Sequence, residues 1–273
     1  MIATLVHPGT APSRRWAALP CTAQPVDLIL PVADTLAQSV ALALADSDGG
    51  WLEIDMATLA NLDFVVPGND PTGQHAAWYA GPHHMGAGTI THLGLFAARK
   101  QGTSWLHGHG SFAAPGWKGP DFGHILPLDS RLDTPTRARG WALSGAAFEV
   151  QTDAETGFPL NQPVAKGGGR GAAVITLRPN QDMSTALVAA AAEAGITQGR
   201  VYGLGSVVHP HLIGQDPIDS YATELLLTGG QIRNGTADLD VELVTLSGTR
   251  HSGRLEPGKN GICITAELLV VAD

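Results

Sequence analysis

The chain has 273 residues, 44% of them hydrophobic and 15% charged, enough apolar mass for a substantial core and far from the profile of a disordered protein. Sixteen Lys and Arg against 25 Asp and Glu give a net charge of −9, so there is no electrostatic footprint for wrapping a polyanion and nucleic acid is not expected as the main partner. Cys21 and Cys263 stand near opposite ends with no CxxC pair, which excludes a disulfide scaffold and a zinc knuckle.

The opening residues 1–9 lack the basic and apolar regions of a signal peptide, and no run reaches the roughly 18 apolar residues of a membrane span. A cytoplasmic protein without a membrane segment is therefore expected. The 34 Gly, 18 Pro and 5% aromatic residues predict many tight turns between short strands around an aliphatic core. In chain order, Leu28-Ile29-Leu30 reads as a strand and Pro31 as a turn. Leu36, Val40 and Leu44 then form a helical stripe capped by Asp34, and residues 46–50 stop it ahead of a strand at Trp51-Leu52-Glu53-Ile54.

The same order returns at Ile175-Thr176-Leu177, Pro179 and a stripe of Met183, Ala186, Leu187, Ala190, Ala191 and Ala194, with Asn180 as cap and Gly195 as terminator. A strand at residues 200–204 follows. Two matched blocks about a domain length apart predict two copies of one α+β (α/β) unit, each an antiparallel sheet packed with one or two helices. The expected boundaries are 1–163 for the first copy, a Gly-rich linker at 164–172, and 173–273 for the second.

The sharpest chemical signal is Trp105-Leu106-His107-Gly108-His109-Gly110-Ser111-Phe112. On a strand, His107 and His109 project from one face with Cα atoms about 6.6 Å apart, a spacing two ligands of one ion can use. A neighbouring antiparallel strand through Phe122-Gly123-His124 would bring a third imidazole beside them. Three neutral imidazoles suit Zn²⁺ or another divalent transition metal and leave a position open, as catalytic zinc requires. With eleven histidines in the chain, chance His-x-His pairs are also expected, and His209-Pro210-His211, a second one, reads as a surface loop.

Residues 173–271 resemble the PPC domain, also called DUF296, found in plants and prokaryotes. The carriers are Leu177-Arg178-Pro179, Ala194-Gly195-Ile196, Gly203-Leu204-Gly205-Ser206, Leu226-Leu227-Thr228-Gly229-Gly230-Gln231-Ile232 and Thr265-Ala266-Glu267. The first copy is a more divergent match, held by Leu30-Pro31, Gly88-Thr89-Ile90, His107-x-His109 and Gly123-His124. The resemblance implies an α/β domain that assembles as a homotrimer and a metal at His107, His109 and His124. In the second copy Val241, Leu243 and Arg254 fall where those histidines would be, so that copy is expected to bind no metal and either to support assembly or to complete the site.

Other residues complete the candidate set. Arg14, Arg15 and Arg137 are placed to clamp a carboxylate or phosphate. The Gly- and Pro-punctuated loop 79–86 holds Tyr79 as a substrate contact and His84 as a general acid or base, and Glu155 is a candidate base beside a metal-bound water. Glu224 reads as a buried strand carboxylate needing a partner, with Arg200 or Arg233 available. No dinucleotide fingerprint or P-loop is present. The expectation is a zinc-dependent hydrolase, hydro-lyase or isomerase acting on a small carboxylated metabolite. The alternative is a DNA-associated or regulatory binding protein without catalysis, and a third reading is a scaffold stapled by metal.

Overall fold

Alternating apolar and polar residues punctuated by Gly and Pro build strands along nearly the whole chain. The computed structural model describes residues 2–273. Its N-terminal part runs β1 (Trp16–Leu30), α1 (Leu36–Ala43), β2 (Gly49–Gly68), β3 (Trp78–Lys100), β4 (Thr103–Ala113), β5 (Phe122–Ile125), β6 (Arg131–Leu132), β7 (Thr136–Ser144), β8 (Ala146–Thr152) and β9 (Pro159–Ala165). Its C-terminal part runs β10 (Ala172–Leu177), α2 (Met183–Glu193), β11 (Gly199–Val208), β12 (Thr223–Arg233), β13 (Thr236–Thr245), β14 (Arg250–Arg254) and β15 (Gly261–Ala272).

The expected α+β class is corrected by this inventory: the protein is mainly β. Among the described residues there are two helices, of 8 and 11 residues, while β2 and β3 alone reach 20 and 23 residues. The apolar stripes do mark both helices, but each covers one patch of sheet instead of forming a layer. The interior backbone groups are satisfied by sheet ladders. The caps also differ from those expected. Thr35, not Asp34, accepts from the Gln38 amide at the start of α1, because the hydroxyl one residue nearer the helix has the shorter reach. Asp182 caps α2 by accepting from the Thr185 amide, while Asn180 is turned to the N-terminal segment, exchanging hydrogen bonds with the backbone of Leu5.

All the strands join one mixed sheet, ordered β14-β13-β12-β11-β15-β10-β1-β7-β2-β5-β4-β3-β8-β9, with β6 attached to β2 and β2 also paired with β3. Strand β1 makes the connection. Trp16 to Cys21 lie opposite β10, and Thr22 to Leu30 lie opposite β7. Each stretch has a ladder partner on one side only, which is why Pro20 and Pro25, lacking an N–H, are accommodated there.

The larger core gathers Trp51, Phe64, Phe96, Phe122 and Phe148, all at most 1% exposed, under α1. Burying each such side chain is worth about 1.5–3 kcal/mol. Gly94 leaves the room for it: a Cβ there would stand 2.6 Å from the Trp51 ring. A second core packs Met183, Leu187 and Ala191 of α2 onto β10, β13 and β15. Between the parts, β12 touches β2, β4 and β5, and this junction holds the site.

Candidate metal centre

Strand β4 presents Trp105, His107 and His109 on one face, as its period of two requires, and all three line one cavity of about 170 Å³. Strand β5 lies antiparallel to β4 with His124 directly opposite His109. The glycines beside the histidines keep these strands close to their neighbours: a Cβ on Gly110 would stand 2.4 Å from the His92 carbonyl oxygen, and one on Gly123 equally near that of Val65. One ring nitrogen from each of His107, His109 and His124 lies within 4.8 Å of the other two.

The hydrogen bonds fix which nitrogens are available. His109, fully buried, has Nδ1 at 2.7 Å from the Leu225 carbonyl oxygen, and since a carbonyl only accepts, Nδ1 carries the proton. His107 Nδ1 is 2.7 Å from Glu267 Oε2, again a donor facing an acceptor. In the neutral imidazoles both Nε2 atoms are then lone pairs, yet they stand 3.2 Å apart. Glu224 Oε2 is a further acceptor, 2.8 Å from His109 Nε2. Three lone-pair atoms converging without a donor repel one another unless a proton or a cation lies among them. Ligand atoms about 2.0–2.1 Å from one zinc are about 3 Å from each other, so the 3.2 Å spacing of the His107 and His109 Nε2 atoms fits a single ion. The outer hydrogen bonds to a carboxylate and a carbonyl are those that orient metal-bound histidines.

The electrostatics divide the triad. Burial pushes the His107 imidazole down, but the charge and hydrogen bond of Glu267, with Glu224 behind, outweigh it and hold His107 above its ordinary value. Burial, reinforced by the other two imidazoles, drives His124 well below, and its Nδ1 is buried without a partner. Burial, followed by the charges of Glu224 and Glu267, raises the Tyr79 phenol well above its usual range. The Tyr79 ring centroid is 5.4 Å from that of His124, and Tyr79 lines the cavity.

The other sequence candidates lie elsewhere. Arg14 pairs with Glu193 at the surface, and Arg137 pairs with Asp27, also exposed. Arg15 makes two 2.8 Å bonds to the buried Glu155 and another to the Pro179 carbonyl, so the candidate base and one candidate clamp neutralise each other. His84 is 2.8 Å from Asp63, with its side chain 68% exposed. None of these five lines the cavity. His209 pairs with exposed Asp219 beyond the end of β11.

Two carboxylates stand beside the imidazoles, Glu224, read from the sequence only as a structural group, and Glu267, absent from the sequence-based candidates. Glu224 on β12 faces His109 rather than Arg200 or Arg233, and Glu267 on β15 binds both His107 and the Asn161 side chain. Glu267 is 1% exposed. A carboxylate amid apolar strand residues, as in Ala266-Glu267-Leu268, is the available signal, because a buried charge needs a partner.

No family model matches the sequence, and no curated protein does. Among solved structures, the chain is similar to a metal-containing protein of Archaeoglobus fulgidus, with 18% identity and a TM-score of 0.41 over 53% of this chain and 97% of that one. It is also similar to a candidate DNA-binding protein of Ralstonia eutropha JMP134, with 14% identity and a TM-score of 0.39 over 54% of this chain and 96% of that one. A third is a plant- and prokaryote-conserved (PPC) protein of Pyrococcus horikoshii, with 12% identity and a TM-score of 0.37 over 52% of this chain and 96% of that one. The PPC likeness named from the sequence motifs thus recurs among solved structures, over about half of the chain. No helix among the described residues is long and apolar enough to cross a membrane.

Proposed function

We propose that the protein binds a small molecule at a divalent transition metal held by His107, His109 and His124. The observation that carries this reading is the convergence of the His107 and His109 Nε2 lone pairs, each with its Nδ1 already committed as a donor. Zinc suits three neutral imidazoles, and a bound ion of this kind polarises a ligand oxygen or lowers the pKa of a bound water. Glu267 holds the His107 tautomer, the Leu225 carbonyl holds that of His109, and the cavity beside them receives the ligand.

A regulatory binding role follows most directly. Association with DNA draws little support from the charge distribution, since at least eight cations, Arg14, Arg15, Arg137, Arg139, Lys166, Arg178, Arg250 and Arg254, are held in ion pairs in a chain of net charge −9. Salt-sensitive binding of duplex DNA at micromolar protein would reverse that judgement. One observation favours catalysis as a second reading: Glu224 Oε2 stands 2.8 Å from His109 Nε2, where it can hold or move a proton at a ligand atom, with Tyr79 in the same cavity.

The test is elemental analysis of protein purified without a metal-affinity tag, beside His107→Ala and His124→Ala. About one metal per chain, lost in both variants, is expected. Absent metal, or metal unchanged by both substitutions, overturns the reading. Turnover by the loaded protein that Glu224→Gln abolishes without metal loss would select the catalytic reading.

A further inference from the structure

The cavity offers hydrogen-bond acceptors and aromatic faces, with no Lys or Arg on its lining. Asn161 is 2% exposed and lines the cavity. Its Nδ2 donates to Glu267 Oε2 at 2.8 Å, but its Oδ1 is buried with no partner. Leaving such an acceptor unmet costs about 1–3 kcal/mol, which a ligand N–H or O–H would recover.

The other polar lining groups bias the site the same way. The hydroxyls of Thr223 and Thr265 donate to the backbone carbonyls of Val207 and Leu177, so neither is free to donate to a ligand. Glu224 and Glu267 both line the cavity, and no Lys or Arg among the described residues does. A divalent ion on the three imidazoles is balanced by these two carboxylates, which leaves no net positive charge for an anion. The donors that remain on the lining, the Tyr79 phenol, the Ser206 hydroxyl and the indole N–H groups of Trp78 and Trp105, are all neutral, and neutral donors alone do not offset the charge of a buried carboxylate.

The remaining wall is aromatic. Trp78 and Phe158 line the cavity with centroids 5.1 Å apart, and Tyr79 carries the aromatic surface from Phe158, at 6.3 Å, to His124. Trp78 keeps 39% of its surface exposed, which places it at the mouth. A cavity of about 170 Å³ compares with the roughly 150 Å³ that holds benzene.

We infer that the ligand of this cavity is a small non-anionic molecule with a flat apolar body and a hydrogen-bond donor, an amine or alcohol, its donor on Asn161 Oδ1 and its body against Trp78, Tyr79 and Phe158. This class replaces the carboxylated metabolite expected from the arginines, and it rests on the proposed role of the cavity as the ligand site. It does not depend on the metal, because the acceptor and the aromatic wall belong to the chain itself.

The probes are benzylamine, benzyl alcohol, benzoate and toluene, titrated calorimetrically into metal-free and metal-loaded wild type, Asn161→Ala and Trp78→Ala. Benzylamine and benzyl alcohol are expected to bind at least tenfold more tightly than benzoate in both forms of the wild type. The preference of benzyl alcohol over toluene is expected to vanish in Asn161→Ala, while Trp78→Ala weakens every probe without changing metal content. Benzoate binding as tightly as the amine, or no probe binding at all, overturns the inference. Should Asn161→Ala fail to fold, the wild-type ranking and Trp78→Ala decide. Metal content is measured on the same samples, so loss of the metal reading leaves the ranking in metal-free protein intact and separately readable.

Discussion

The two sides of the cavity are built from opposite kinds of groups. The N-terminal part supplies three imidazoles from two adjacent strands, β4 and β5. The C-terminal part supplies the carboxylates Glu224 and Glu267 and the Leu225 carbonyl, from β12 and β15. Val241 and Leu243, which the sequence reading set against two of the histidines, lie in the core of the C-terminal part, and Arg254, set against the third, pairs with Asp240. The C-terminal part, which has no imidazole in this cluster, thus still determines which tautomers His107 and His109 adopt. The lesson is that clustered imidazoles and the groups orienting them need not share strands, nor even the same half of the chain.

The strongest way to break this contrast is His109→Ala, which removes the nitrogen closest to both partners; metal is expected to fall below detection by elemental analysis. Glu267→Gln tests the opposite side. It keeps the shape but weakens the acceptor for His107 Nδ1, and metal affinity should fall about 10–100-fold, measured by competition with a chelator. A Glu267→Gln protein with wild-type affinity would show that the C-terminal part is only a wall.

The contact between the parts can be broken as well. Buried Asp153 of the N-terminal part pairs with Arg178 of the C-terminal part. Removing one partner of a buried pair costs about 3–5 kcal/mol, so Asp153→Asn should lower Tm by on the order of 10 °C at this size. Burial pushes the Asp153 carboxyl up, but the Thr156 amide and hydroxyl and the Arg178 guanidinium hold it below its ordinary value of 3.8. A depressed folded-state value means that this stabilisation is present above pH 3.8 and is lost as the pH falls through the folded value. Tm should therefore decline on acidification in the wild type, and less steeply in Asp153→Asn. The smallest effect is expected from His211→Ala, whose metal content should equal that of the wild type; a loss there would dissolve the distinction between the two His-x-His motifs.

That distinction also shows what the sequence made legible. His107 and His109 share a face because β4 is extended and paired on both sides. His209-Pro210-His211 has the same spacing, but β11 ends at Val208 and His209 turns to φ 44°, where a two-residue period no longer applies. His124 was reachable by imagining one antiparallel neighbour. Glu224 and Glu267 were not, since 160 residues separate Glu267 from His107 and nothing local encodes which strands the long pairing brings together. The helices were legible from their stripes; their minor share of the fold was not, because the length of β2 and β3 depends on tertiary pairing rather than on propensity.

Strand β1 gives this architecture a consequence in time. Its first stretch can pair only when β10, more than 150 residues later, has joined it, a connection of the kind that slows folding through loop closure. During synthesis the N-terminal part would wait with Trp16 to Cys21 of β1 unpaired, and the mature protein should melt in one cooperative transition, because a strand held by two ladders couples the fate of both.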